Sequence, residues 1–163
     1  MLIIDEMVTW GRMYGGSGIA HLGIDADLWV GAKALGGGLP LTAVVGRRQL
    51  MERFAADVFH SATFSGEVLS LAAAAAMLDL VELRDVPRII GGFGQEVMAI
   101  APERFRPGYP QRLTFDIDRA GLGVLLAHGV LAGGGYLNIS TEMAEDAEAR
   151  ATLLSAFRAV LAP

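Results

Sequence analysis

Cysteine is absent from this chain of 163 residues. Without cysteine there is no disulfide framework, no thiolate metal site and no catalytic thiol, which fits a cytoplasmic protein. Histidine is scarce as well: the sequence has 3, and His21, His60 and His128 lack the spacing of metal ligands. Charged residues make up 19% of the chain and the net charge is -5, so electrostatics predict neither nucleic acid nor an anionic membrane as a partner.

Long hydrophobic runs are also lacking, although 53% of the residues are hydrophobic. The apolar run over residues 68–78 is too short to cross a bilayer. The uncharged stretch over residues 120–141 is interrupted by glycines and polar side chains, which favours buried strand and loop over a membrane span, although residues 121–128 also fit a helix. Asp5 and Glu6 interrupt the first apolar run, and no basic segment precedes it, so we expect no signal peptide.

Lysine occurs once, at Lys33, within a glycine-rich stretch that carries no other charge. Arginine supplies the remaining basic residues and is the better side chain for surface ion pairs. Only an amine with an accessible neutral form can attack a carbonyl and form an imine. Lys33 is therefore a candidate nucleophile. The alternative is that Lys33 is a surface residue without a chemical role.

Strand and helix patterns alternate along the chain, which predicts an α/β fold. Apolar or alternating segments predict strands at residues 2–4, 27–31, 42–46, 111–117 and 137–140. Helical periodicity predicts helices at residues 47–55, 67–84, 121–128 and 144–161, while residues 95–102 are ambiguous. A boundary between two subdomains is expected near residues 85–92.

Three residues suggest a common chemistry. Asp5 ends a predicted buried parallel strand, and a carboxylate there can hold a heterocyclic nitrogen protonated. Lys33 follows the next predicted strand and could form a Schiff base. Thr63 precedes the long predicted helix, where a hydroxyl suits a phosphate. Together they predict a site for pyridoxal 5'-phosphate.

The motifs around these residues resemble the class III, fold-type I pyridoxal phosphate aminotransferases. Leu2-Ile3-Ile4-Asp5-Glu6-Met7-Val8-Thr9 is similar to the family's Asp-Glu strand. Gly31-Ala32-Lys33 with Gly36-Gly37-Gly38-Leu39-Pro40 is similar to its lysine motif. Gly46-Arg47-Arg48 follows as in the glutamate-1-semialdehyde aminomutase branch, and His60-Ser61-Ala62-Thr63-Phe64-Ser65-Gly66 resembles a segment that reaches the neighbouring subunit's cofactor.

The resemblance implies a role for each candidate residue. Asp5 would pair with the pyridine nitrogen, Lys33 would form the Schiff base and move the proton, and Thr63 would serve the phosphate of the partner subunit. It also implies a homodimer with a shared active site, and a transaminase that moves an amino group between a small-molecule amino donor and an aldehyde or keto acceptor. Residues 1–86 would be the C-terminal part of the large-domain sheet, and residues 87–163 the small C-terminal α/β domain.

The sequence departs from the family pattern at several points. Trp10-Gly11 reverses the usual glycine and aromatic, and Glu67-Val68 replaces the common Asn-Pro. Gly133-Gly134-Gly135 stands where the aminomutase branch carries an aromatic and an acid, which favours a plain transaminase. The family's amino-terminal half, with a phosphate loop and a stacking aromatic, does not precede Asp5. We therefore expect either a fragment or a sequence whose start is wrongly placed, and a chain that binds the cofactor poorly alone.

Other interpretations remain open beside this one. Residues 2–6 also resemble the magnesium-binding strand of P-loop ATPases, but no Gly-x-x-x-x-Gly-Lys-Ser/Thr motif occurs. A non-catalytic fragment with a structural or interaction role is the alternative outside enzymes. Arg47, Arg48 and Arg112 could bind a substrate carboxylate, although surface ion pairs are the commoner fate of arginine.

Overall fold

The computed structural model describes residues 1–161 and divides the chain into two compact units. The first unit comprises Met1–Val86, and the second begins at Pro87. Each combines helices with a small β-sheet, so the predicted α/β class is confirmed. Which family domain each unit represents stays a prediction.

The first unit contains a three-stranded sheet in the order β1-β2-β3. Its strands are β1 (Ile3–Asp5), β2 (Leu28–Gly31) and β3 (Ala43–Gly46). β1 runs parallel to β2, and β3 runs antiparallel to β2. Because β1 and β2 are parallel, their carboxyl ends lie at the same edge of the sheet.

A charged cluster at the opposite edge fixes the register of β1 against β2. The Asp27 carboxylate accepts a hydrogen bond of 2.6 Å from the backbone N–H of Leu2. Arg47, at the end of β3, bridges Asp27 at 2.7 Å and Asp25 at 2.8 Å. The hydrogen bond from Leu2 lowers the pKa of Asp27, and Arg47 lowers it further. This cluster sets which β2 residue lies beside Asp5.

The prediction of a buried first strand is wrong, although its parallel pairing is right. Ile3 is 51% exposed and Leu2 is 44% exposed. β1 is an outer strand of the sheet and pairs only with β2 among the described residues. An apolar run indicates the affinity of a strand for a core, but burial also needs a packed layer on each face.

Helices and short 3-10 turns complete the first unit. The helices are α1 (Gly18–Leu22), α2 (Arg48–Met51) and α3 (Val68–Leu83). The 3-10 turns are Lys33–Gly36 and Glu52–Ala55. α3 matches the prediction for residues 67–84, whereas α1 was missed because it lies in a glycine-rich connection.

The second unit packs helices against a two-stranded antiparallel sheet. Its strands are β4 (Arg112–Thr114) and β5 (Tyr136–Asn138). Its helices are α4 (Val86–Met98), α5 (Arg119–Ala127), α6 (Thr141–Glu145) and α7 (Ala147–Leu161). A 3-10 turn, Pro102–Arg104, follows α4.

Three phenylalanines form the centre of the second unit. Phe157 of α7 is fully buried, and its ring centroid lies 5.2 Å from that of Phe115 and 6.1 Å from that of Phe105. The predicted apolar stripe of the last helix therefore does face a core. The single predicted helix is instead two, because Asp146 ends α6 and its carboxylate caps α7 through the N–H of Ala149 at 2.8 Å.

α4 was not predicted from the sequence. Its residues include Gly91, Gly92 and Gly94, which weaken the helical signal. Gly94 is required by packing, because a Cβ there would lie 1.7 Å from the carbonyl oxygen of Pro110. Within residues 1–161, no helix combines the length and apolar character needed to cross a membrane.

Candidate active site

Lys33 lies just beyond the carboxyl end of β2, in an unusual backbone conformation. Ala32 is extended, with φ -161° and ψ -152°, and Lys33 then has a positive φ of 52°. The left-handed conformation costs an L-residue about 1–2 kcal/mol, because its Cβ approaches the carbonyl oxygen. Lys33 itself is exposed, so its side chain is accessible to small molecules.

Contacts with the rest of the first unit hold the turn that begins at Lys33. Leu35 is only 5% exposed and anchors the turn in the first unit. Gly37 ends the turn with φ 59°, and its N–H donates to the carbonyl of Ala34 at 3.1 Å. A Cβ on Gly37 would lie 2.9 Å from Cγ of Met77, so the turn packs directly on α3.

Asp5 lies at the carboxyl end of β1, directly beside Val30 of β2 in the parallel register. Lys33 follows Val30 by three positions, so the two candidate residues belong to the same edge of the sheet. Oδ1 of Asp5 accepts a hydrogen bond of 2.8 Å from the N–H of Met7, which orients the carboxylate. Asp5 is exposed within the described chain.

Glu6 takes a structural position, in contrast to its neighbour Asp5. It is 0% exposed, and its Oε2 accepts from the Thr9 hydroxyl at 2.6 Å and from the Gly18 N–H at 2.8 Å. Its Oε1 accepts from the Ile19 N–H at 2.7 Å. Glu6 therefore satisfies the first N–H groups of α1 and fixes the segment that follows Asp5.

A cleft of about 840 Å³ opens beside Lys33 within the first unit. Its polar lining includes Lys33, His60, Thr63, Ser65 and Glu67. Its walls are mainly apolar and include Leu39, Leu41, Val44, Phe54, Phe64 and Leu71. Lys33 and Thr63 thus line one cleft, whereas Asp5 is outside its lining.

The sequence predicts Thr63 near the N-terminus of the long helix, but in the structure Glu67 caps that terminus. α3 begins at Val68, and the carboxylate of Glu67 accepts from the N–H groups of Leu69 at 2.5 Å and Ser70 at 2.8 Å. The side-chain hydrogen bond with Ser70 is the largest cause that lowers the pKa of Glu67. A phosphate near Thr63 would therefore meet a carboxylate rather than the free N–H groups of α3.

The three arginines considered for substrate binding have protein partners. Arg47 pairs with Asp25 and Asp27, and the side-chain hydrogen bond with Asp25 is the main cause that raises its pKa. Arg48 lies 3.8 Å from Glu52. The guanidinium carbon of Arg112 lies 4.8 Å from the ring centroid of Tyr136. These contacts support the structural reading of each arginine.

The family model described as aminotransferase class-III matches residues 1–98 of this chain. The chain belongs to the class-III aminotransferases. This confirms the resemblance drawn from the Asp-Glu strand and the lysine motif. The matched segment includes all three predicted site residues, Asp5, Lys33 and Thr63.

Individual class-III relatives agree with this placement. The glutamate-1-semialdehyde 2,1-aminomutase of Methanosarcina acetivorans is 34% identical over 105 residues, which is 63% of this chain and 25% of that protein. The enzyme of the same name from Thermus thermophilus is 43% identical over 84 residues, 50% of this chain and 20% of that protein. The matches thus span about a quarter or less of these relatives.

A solved structure shows the fold over nearly the whole chain. An amine transaminase from an uncultivated Pseudomonas species, in its PLP-bound internal aldimine form, matches with a TM-score of 0.78 and 25% identity. The match covers 99% of this chain and 44% of that one. The fold-type I architecture expected from the sequence is therefore confirmed.

Pyridoxal phosphate is the cofactor that membership of this class supports. The residues of the cleft fit most of that molecule: the volume is that of a small-ligand site, the walls are apolar, and one primary amine borders it. The Thr63 and Ser65 hydroxyls are suitable phosphate donors. Glu67 is the one group in the lining that opposes a phosphate.

Sequence reasoning missed two polar residues of this cleft, His60 and Glu67. His60 was treated as one of three scattered histidines, but its ring packs edge-on against Phe54 with centroids 5.9 Å apart. Glu67 had a readable signal, since an acidic residue directly before a helical run, three positions ahead of a serine, suits an N-terminal cap.

Proposed function

We propose that this chain supplies the lysine-bearing part of a pyridoxal phosphate-dependent transaminase. The overall reaction moves an amino group from a small-molecule donor to an aldehyde or keto acceptor, leaving the donor as a carbonyl compound. The observation that carries the proposal is the parallel pairing of β1 and β2. It brings Asp5 and Lys33 to one edge of the sheet, and Lys33 also lines a cleft of about 840 Å³.

Each candidate residue has a distinct task in this proposal. When bound, pyridoxal phosphate supplies an aldehyde that captures amines and a ring that withdraws electrons. Asp5 holds the ring nitrogen in its protonated form by charge. The Met7 N–H on Oδ1 fixes the direction of that carboxylate. The hydroxyl of Thr63 donates to the phosphate of the cofactor that the partner subunit holds.

Lys33 has two tasks, covalent attachment and proton transfer. Its Nζ is the only side-chain amine of the sequence. As a neutral amine it takes the proton from the amino-bearing carbon of the substrate and later returns one to the acceptor.

Glutamate-1-semialdehyde-type aminomutation is the second candidate. Both curated relatives described above carry that enzyme name. A mutase returns the amino group to the same carbon skeleton, whereas a transaminase needs a separate carbonyl acceptor. Turnover of an amino aldehyde without added acceptor would therefore favour the mutase. The triple glycine at 133–135 favours transamination.

Assembly and location belong to the proposal as well. We propose a homodimer in which two chains share their active sites, with Thr63 serving the partner's phosphate. The exposed apolar side chains of α3, which include Val68, Leu69 and Leu83, support association with another protein surface. A cytoplasmic location rests on the lack of cysteine.

The test uses the chain itself with pyridoxal phosphate and borohydride. Lys33 and the α-amine of Met1 are the only primary amines of the 163-residue chain, so mass mapping of the reduced pyridoxyl group distinguishes them. The ratio of the two labels shows whether Lys33 lies in a site that binds pyridoxal phosphate, with the α-amine as the reference amine. We expect preferential modification of Lys33.

The matched control is Lys33→Arg, which keeps the positive charge and removes the reactive amine. This variant should lose the modification at residue 33 and keep that at Met1. Modification of Met1 alone in the parent chain would contradict the proposal. So would equal uptake at Lys33 after the cleft is blocked by Thr63→Trp.

A further inference from the structure

Lys33 has a backbone conformation that lysine rarely adopts. Among residues 1–161, Lys33 and Asp85 are the non-glycine residues with positive φ, 52° and 46°. Aspartate is enriched in this region because its short side chain bonds locally, whereas lysine is not. Such strain persists only where surrounding structure imposes it, and it concentrates at functional positions.

At the other end of the same turn, Gly37 packs against Met77 of α3. Gly37 closes the turn that Lys33 opens, and the site of its missing Cβ lies 2.9 Å from Cγ and 3.4 Å from Sδ of Met77. The Cβ of Ala73 lies 3.8 Å from the same point. The end of the turn is thereby seated on α3, while Ala32 at its start is buried at 9% exposure.

We propose that Gly37 and Met77 are positioning residues for the Lys33 amine. Their contact seats the turn on α3 and keeps Lys33 in the left-handed conformation, which directs its side chain into the cleft. This inference rests on the proposed function of Lys33, and it adds two residues that touch neither substrate nor cofactor.

The first measurement reads the conformation of Lys33 without any cofactor. Labelling with isotopic lysine gives a single residue signal, because the sequence contains one lysine. The amide coupling constant and α-carbon shift of that signal report its φ. Gly37→Ala should move both toward ordinary negative-φ values, since the new Cβ collides with Met77.

A second measurement reads the position of the amine. The ratio of borohydride-fixed pyridoxyl groups on Lys33 and Met1 uses the α-amine as an internal reference. Gly37→Ala should lower that ratio about tenfold, the effect expected when a conformational preference of this size is lost. Met77→Ala should lower the ratio in the same direction, because it removes the same contact from the side of α3.

Gly23→Ala is the matched control. Gly23 also ends a helix in the left-handed conformation, with φ 63°, but nothing lies within 4 Å of its Cβ position. It carries the same backbone penalty without a contact to α3, so both readouts should stay at the parent values. If Gly37→Ala fails to fold, Met77→Ala alone removes the contact and should shift the lysine signal.

Three outcomes distinguish the positioning role of Gly37 and Met77 from the proposed function of Lys33. An unchanged lysine signal and ratio in Gly37→Ala and in Met77→Ala would overturn the positioning role. Equal losses in Gly23→Ala and Gly37→Ala would also overturn it, because backbone strain alone would then explain the result. A parent chain that modifies only Met1 would overturn the proposed function, and the inference would fall with it.

Discussion

Glu6 and Asp5 are adjacent carboxylates with opposite surroundings. Glu6 is fully buried and accepts three hydrogen bonds, from Thr9, Gly18 and Ile19. Asp5 is exposed and accepts one from Met7. A buried acceptor cannot be removed without leaving its donors unsatisfied, whereas an exposed carboxylate is replaced by water. Glu6 therefore serves stability, whereas the exposed carboxylate of Asp5 is available for the role proposed for it.

We expect the substitution Glu6→Ala to lower the free energy of unfolding by about 1–3 kcal/mol, because the donors that bond to Glu6 lose their acceptor. Both tryptophans, Trp10 and Trp29, lie in the first unit, so urea unfolding followed by tryptophan fluorescence reports that unit alone. The control is Glu52→Ala, whose side chain is 67% exposed. Equal effects of the two substitutions would contradict the role given to Glu6.

α3 is the element that connects the cleft to the turn that begins at Lys33. Its N-terminus is capped by Glu67, a residue of the cleft lining, and its middle supports Gly37 through Met77. The helix is apolar on nearly all sides, with Leu71, Leu78 and Leu80 exposed. Such a helix is typical of a position between two packed layers.

The cap of α3 predicts a dependence of stability on pH. The folded-state pKa of Glu67 lies below its ordinary value of 4.5, so its contribution is present above 4.5 and is lost as the pH falls through the lower folded value. Glu67→Ala should therefore unfold at less urea than the parent near neutral pH. The difference should shrink on acidification below 4.5.

A difference between parent and Glu67→Ala that stays constant down to the lowest pH at which both fold would contradict this. Glu82→Ala is the control. Glu82 lies near the other end of the same helix, where an acidic side chain opposes the helix dipole. Its removal should not destabilise α3 at neutral pH.

The whole chain consists of two units, each with its own packing. The second unit is built around Phe157, which contacts Phe105 and Phe115. Phe93 of α4 is buried as well, and the guanidinium carbon of Arg150 lies 4.5 Å from the centroid of the Phe93 ring. Stability is therefore expected to differ between the units, and a single unfolding free energy does not describe the molecule.

This arrangement predicts that Phe157→Ala acts on the second unit. Loss of a fully buried phenylalanine typically costs about 3–5 kcal/mol, through lost burial and the cavity left behind. Hydrogen exchange followed by mass spectrometry should show lost protection in residues 87–161 and unchanged protection in residues 1–86. Phe157→Leu should show the same pattern with a smaller loss. Equal loss of protection in both units would contradict two separate packing units.

Strong local patterns were enough to predict several features. α3 carries a long alanine- and leucine-rich run, and β1 and β2 carry apolar runs that end near charged or glycine residues. The patterns failed where contacts between residues distant in sequence determine the local structure. The glycines of α4 weaken its helical signal, yet Gly94 is a helical residue that packs against the backbone of Pro110. The end of α6 at Asp146 follows from a side-chain cap rather than from periodicity.

Residue type and order establish the available chemistry: one side-chain amine at residue 33, a carboxylate at the end of an apolar strand, and the motifs of the class-III family. These are properties of residue type and order, which do not depend on folding. Tertiary contacts determine that Glu6 is buried while Asp5 is exposed. They also determine that Glu67 caps the helix terminus at which Thr63 was expected, and that the backbone of Lys33 has a left-handed conformation. Each of these depends on which distant backbone groups approach the side chain, and a linear pattern does not contain that information.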